Sequence, residues 1–120
     1  MQPRSGAILV VEDDPSTREG MLALLQNAGY KVSSAKNGQE ALDLLEGGLR
    51  PAIMLVDLML PEVSGWDFLK YVHGDPVLKL IPTIVVTAAP DERTSVIADH
   101  VFVKPVDIPR LMASIRSFAR

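Results

Sequence analysis

The chain has 120 residues, of which 48% are apolar and 22% charged, with a formal net charge of -3 and no cysteine. That is room for one ordinary hydrophobic core, in a composition too rich in branched apolar residues for a disordered chain. Disulfides, thiolate metal sites and cysteine nucleophiles are excluded, and the lack of a dense Lys/Arg block argues against nucleic acid or an anionic membrane as the main partner. Met1 to Gly6 is polar and leads straight into a short apolar run, so neither a signal peptide nor a membrane span is expected. The expectation is a single domain over residues 1–120, located in the cytoplasm.

In chain order, Ile8-Leu9-Val10-Val11 is the first short branched run, suited to a strand covered on both faces. Asp14-Pro15 supplies an N-cap and a first helical residue; Met21, Leu24, Leu25 and Ala28 then repeat at helical spacing until Gly29. Lys31 to Ala35 is a weaker run that reads as an edge strand. Gly38 to Glu46 is a second helical pattern ended by Gly47-Gly48. Ala52 to Val56 is the next buried strand, and Trp66 to Val72 the third helix, stopped by Gly74. Thr83 to Val86 and Val101 to Val103 read as the fourth and fifth strands. Asp107 and Pro109 open a terminal helix striped by Leu111, Met112, Ile115 and Phe118. Strands alternating with helices imply right-handed crossovers, hence a doubly wound α/β fold on a five-stranded parallel sheet.

What ends each strand matters for function. Glu12 and Asp13 follow the first run, Asp57 the third, Thr87 the fourth and Lys104 the fifth. In a parallel sheet those ends share one side, and ligands bind there, where the strand order reverses. Three converging carboxylates need a counter-charge, and hard oxygen donors without His or Cys suit Mg²⁺. Mg²⁺ favours sites shared with phosphate, which points to phosphoryl chemistry: Asp57 as nucleophile, Lys104 drawing charge from the phosphoryl oxygens, Thr87 donating a hydrogen bond. Taken singly, Asp13 reads equally well as a helix N-terminal acid, Thr87 as a strand residue and Lys104 as an ordinary surface charge. Their coincidence at the strand ends is what carries the reading. Asp14 is assigned to capping. Trp66, Phe68, Tyr71 and Phe102 form no stacking row, and His73 and His100 lie away from the strand ends concerned, so all six read as structural.

Glu12-Asp13, Asp57 followed by Leu58-Met59-Leu60-Pro61 and Ser64-Gly65, Thr87-Ala88 and Lys104-Pro105 together resemble the receiver domains of bacterial two-component systems over nearly the whole chain. The resemblance implies a flavodoxin-like strand order of 2-1-3-4-5 and a cis Lys104-Pro105 peptide. It implies that Asp13 and Asp57 bind Mg²⁺ directly, Glu12 through water, and Met59 through its backbone carbonyl. It also implies a module that accepts a phosphoryl group on Asp57 from a sensor histidine kinase or phosphotransfer protein. Such a module catalyses nothing beyond hydrolysis of its own acyl phosphate, and it signals to a downstream protein partner. Phosphorylation would draw the Thr87 hydroxyl inward and shift an equilibrium on the face made by the helix after strand four, strand five and the terminal helix.

Two departures fall on that output face. Sixteen residues separate Thr87 from Lys104, which is one to one and a half helical turns fewer, roughly, than in the resembled family. The fourth helix, within Pro90 to Asp99, is therefore expected to be shortened or distorted. The aromatic expected three residues before the lysine is Val101, and Phe102, one step along a strand, points to the opposite face. Val106 stands where a Phe often follows the Lys-Pro pair. Two alternatives follow: a receiver-fold binding or dimerisation module acting without phosphorylation, and an aspartyl-nucleophile Mg²⁺ phosphatase. The second would require an Asp where Met59 stands. Homodimer formation is left open, since receivers pair through the region that departs here.

Overall fold

The computed structural model describes residues 7–58, 64–88 and 98–118. The branched runs form β1 (Ala7–Val11), β2 (Lys31–Ala35), β3 (Ile53–Val56), β4 (Thr83–Thr87) and β5 (His100–Val103), joined as one sheet in the order β2-β1-β3-β4-β5. Every neighbouring pair is parallel. The helices are α1 (Pro15–Asn27), α2 (Gly38–Glu46), α3 (Gly65–His73) and the terminal helix α4 (Ile108–Phe118). The doubly wound α/β architecture is thus as the sequence leads one to expect. The shortened or distorted helix expected between β4 and β5 falls mainly on residues 89–97, outside the described residues.

Period-two alternation sorts each strand between two layers. Leu9, Val11, Met54, Val56 and Val85 face α2 and α3, where they pack on Ala41, Leu45, Phe68, Leu69 and Val72. Ile8, Val10, Ile53, Leu55, Ile84 and Val86 face the other side and pack on Leu25 of α1 and Leu111 and Ile115 of α4. Phe68, Leu25, Leu111 and Ile115 are fully buried, each contributing on the order of 1.5–3 kcal/mol of hydrophobic stabilisation. The same alternation decides the aromatic question on β5. Phe102 packs into the α1/α4 layer, whereas Val101 pairs in register with Val85, whose side chain faces α2 and α3.

Local chemistry sets the helix boundaries. The Asp14 carboxylate accepts from the Thr17 N–H at 2.8 Å with Pro15 at the first helical position. Asn37 Oδ1 accepts from Glu40 N–H at 2.8 Å, capping α2, while the Glu40 carboxylate accepts from the N–H of Lys36, the residue before the cap, at 2.9 Å. Ser64 Oγ accepts from Asp67 N–H at 3.1 Å. Gly29 ends α1 with φ of 96°, a left-handed conformation that favours glycine. One element escapes hydrophobic periodicity: a 3-10 turn at Leu78–Leu80, held by the Asp75 carboxylate accepting from Val77 and Leu78 N–H at 2.8 and 3.0 Å. Among the described residues no helix is long and apolar enough to cross a membrane.

Candidate functional site

The parallel sheet delivers its carboxyl-end residues to one place. Glu12 and Asp13 leave β1, and the backbone N–H groups of Glu12 and Asp57 continue the ladder onto Ala35 and Val11 carbonyls at 3.1 and 3.0 Å. The strand ends are thereby locked in register before any side chain is considered. One carboxylate oxygen from each of Glu12, Asp13 and Asp57 lies within 4.8 Å of the others. Glu12 and Asp57 are only 6% and 5% exposed, while Asp13 is open to solvent.

Lys104 closes the cluster from the far edge of the sheet. Its Nζ donates to Asp57 Oδ2 at 3.1 Å and to Glu12 Oε1 at 3.2 Å. Its backbone N–H donates to the Thr87 carbonyl at 2.9 Å, and the Lys104-Pro105 peptide is cis, as the resemblance implies. Thr87 ends β4 fully buried beside this turn. Burial is the largest influence on Glu12 and raises its carboxyl above the ordinary value. The Asp14 N–H at 3.2 Å and the Lys104 ammonium oppose this, while the Asp57 charge adds to it. Burial alone would lower Lys104, but its hydrogen bonds to Asp57 and Glu12 and their charges outweigh that and hold the ammonium protonated beyond its ordinary range.

Among the described residues three carboxylates and one ammonium meet here, and the donor set is entirely hard oxygen. That suits a small divalent cation and offers nothing to a thiophilic one. Glu12, Asp13, Asp57, Thr87 and Lys104 all lie at the carboxyl edge of the sheet; Met59 lies outside the described residues. His100 begins β5 at the opposite end, where its Nδ1 is hydrogen-bonded to Ser114 Oγ and its ring meets Phe118 edge-on at 5.1 Å. That is a structural setting.

Two contributors are not evident from residue type alone. Arg18 donates from one guanidinium nitrogen to the Glu12 carbonyl at 2.9 Å and to the Asp13 carbonyl at 3.4 Å, holding the acidic turn in shape. A cation in the first turn of a helix opposes the dipole, and that anomaly is the signal that could have found it. Gly65 packs so closely on the end of β3 that an added Cβ would sit 2.5 Å from Leu58 Cα and 2.6 Å from the Asp57 carbonyl oxygen. The backbone leaving Asp57 is therefore seated directly against the start of α3.

The family model described as response regulator receiver domain matches residues 8–116. The polar-differentiation response regulator DivK of Brucella anthropi is 34% identical over 117 residues, covering 93% of this chain and 94% of its own. The signal receiver domain of a signal transduction histidine kinase from Syntrophus aciditrophicus superposes with a TM-score of 0.86 at 31% identity, over 95% of this chain and 89% of that one. The response regulator protein TrrA from Thermotoga maritima, solved in complex with Mg²⁺-BeF, has a TM-score of 0.84 at 28% identity, over 94% and 98% of the two chains.

Proposed function

Because the chain belongs to the response regulator receiver domain family, a family of two-component signalling modules, we propose that it accepts a phosphoryl group on Asp57 and reports this to a protein partner. The observation that carries the reading is the Lys104 ammonium held between the Asp57 and Glu12 carboxylates, 3.1 and 3.2 Å away. Such an ammonium stands where charge develops on a phosphoryl group bound to Asp57.

In this mechanism an Asp57 carboxylate oxygen attacks the phosphorus of a phosphohistidine. The P–N bond breaks, and the imidazole nitrogen of the donor keeps the electron pair and takes up a proton. Lys104 neutralises part of the charge on the transferred group, and the Thr87 hydroxyl donates to a phosphoryl oxygen. Asp13 and Asp57 would hold Mg²⁺ directly, with Glu12 acting through water and Met59 through its backbone carbonyl. When bound, the metal supplies Lewis-acid polarisation of the phosphoryl oxygens. Arg18 keeps the acidic turn shaped for that set. Hydrolysis of the acyl phosphate resets the module, and no other substrate is turned over.

The donor is a sensor histidine kinase or phosphotransfer protein. Residues 1–120 act as one receiver domain in the cytoplasm, and the output partner is a protein, not nucleic acid or membrane. Val101 and the short Thr87 to Lys104 spacing set the output face apart from the usual pattern, so the altered part is the report and the acceptor chemistry is retained. The test is intact mass after incubation with a small-molecule phosphoryl donor and Mg²⁺, wild type beside Asp57→Asn. Gain of one phosphoryl group by the wild type alone is expected. An unmodified wild type, under conditions that label a control receiver, would replace this reading with a constitutive binding module.

A further inference from the structure

The acidic turn Glu12-Asp13-Asp14 joins β1 to α1, and all three of its backbone carbonyls accept from one residue, Arg18. The guanidinium Nη1 donates to the Glu12 carbonyl at 2.9 Å and to the Asp13 carbonyl at 3.4 Å, and the Arg18 backbone N–H donates to the Asp14 carbonyl at 2.8 Å. The turn is tied elsewhere as well. Glu12 N–H donates to the Ala35 carbonyl at 3.1 Å, Asp14 N–H to the Glu12 carboxylate at 3.2 Å, and Thr17 N–H to the Asp14 carboxylate at 2.8 Å. Backbone satisfaction does not by itself call for an arginine, because Asp13 is exposed and water can serve its carbonyl. A cation in the first turn also opposes the helix dipole. A residue that does not favour its own helix is placed there for what it does to the turn.

Arg18 takes carbonyl oxygens and leaves the Glu12 and Asp13 carboxylates to the cluster they form with Asp57. Mg²⁺ demands a near-ideal octahedral set at short distance and keeps several of its waters, so it suits few ligands on a fixed frame. Ca²⁺ takes roughly six to eight oxygens in adaptable geometry, backbone carbonyls among them. Two carbonyl oxygens bonded to a guanidinium are withheld from the larger ion, and a turn tied at both ends resists spreading to admit it. We infer that Arg18 is a positioning residue that shifts the choice of cation toward Mg²⁺ and away from Ca²⁺ by holding the acidic turn closed. The inference rests on the metal site proposed at Asp13 and Asp57, and it gives Arg18 no contact with the ion or the phosphoryl group.

The experiment titrates the whole chain with MgCl₂ and, separately, with CaCl₂, following the amide chemical shifts of Asp13 and Asp57 in wild type and in Arg18→Met. Methionine keeps an unbranched stem and supplies no hydrogen-bond donor. Loss of the guanidinium charge acts on both divalent ions alike, so the ratio of their dissociation constants separates geometry from charge. Arg18→Met should move that ratio toward Ca²⁺ by roughly tenfold, the size of effect usual for partners just outside a ligand set. A merely structural role would weaken both ions together and leave the ratio in place. In the ligand-free wild type, ¹⁵N order parameters of Asp13 and Asp14 should be about 0.85, as for rigid backbone, and values below about 0.6 would overturn the proposal even if Arg18→Met misfolds. A folded Arg18→Met that binds both ions with the wild-type ratio removes Arg18 alone and leaves the metal site standing. Wild-type amides at Asp13 and Asp57 that respond to neither ion refute the metal site itself, and the role of Arg18 with it.

Discussion

Replacing Gly65 by alanine tests whether the start of α3 positions Asp57. A Cβ at this position would lie 2.5 Å from Leu58 Cα, 2.6 Å from the Asp57 carbonyl oxygen and 3.2 Å from the Asp57 carbonyl carbon. All three are backbone atoms, so no side chain can rotate away, and the 3.2 Å hydrogen bond from Gly65 N–H to the Leu58 carbonyl must lengthen as α3 moves off. Overpacking costs of about 1–3 kcal/mol are usual, and a backbone clash belongs at the upper end. Against this stands the gain of up to about 1 kcal/mol from replacing a helical glycine by alanine. The net expectation for Gly65→Ala is a loss of about 2 kcal/mol, or a melting temperature roughly 6–12 °C lower. Gly20→Ala is the control: it lies in α1 with nothing within 4 Å of the new Cβ, so it should gain about 0.5–1 kcal/mol. Thermal and urea unfolding of both variants, with Mg²⁺ titrations alongside, gives the comparison. If Gly65→Ala were as stable as Gly20→Ala and bound Mg²⁺ like the wild type, the close seating of Asp57 on α3 would be wrong.

Asp13→Asn removes one of the three clustered carboxylates at an exposed position and should weaken Mg²⁺ by roughly tenfold or more with little loss of stability; equal affinity would remove Asp13 from the ligand set. Lys104 has a folded value raised above 10.5. Its stabilising contribution is therefore complete below pH 10.5 and lost as pH rises through the folded value. Urea unfolding across roughly pH 9.5–11.5 should show a steeper decline for wild type than for Lys104→Gln, and parallel curves would mean that the ammonium is not held by Asp57 and Glu12. Asn37→Ala removes the acceptor for Glu40 N–H and should cost about 1 kcal/mol without changing phosphoryl uptake, since the Asn37 side chain serves as the cap of α2.

Much of the fold was legible in the sequence because the relevant physics is local. Branched runs of four or five residues alternate with helical periodicity, and the capping residue Asp14 sits immediately before the helix it starts. The edge strand Lys31–Ala35 and the helix Gly38–Glu46 were readable to the residue, because a polar alternation marks the one and a Gly-Gly break ends the other. The 3-10 turn at Leu78–Leu80 was not, since three residues hold no period and its only mark is Asp75 before Pro76.

The candidate site divides along the same line. That Glu12, Asp13, Asp57, Thr87 and Lys104 share one edge follows from sequence once the strands are taken as parallel, because every such strand ends on the same side. The pairing of Lys104 with two buried carboxylates 47 and 92 residues away does not follow, because it depends on how far β5 brings the lysine across β4 and β3. Nor does the anchoring of the acidic turn by Arg18, the 2.5 Å seat of Gly65, or the cavity left between Gly20 and Val106. Residue types and spacing determine which groups reach the sheet's edge; distances, voids and close contacts arise from packing between segments remote in sequence, where no local pattern records them.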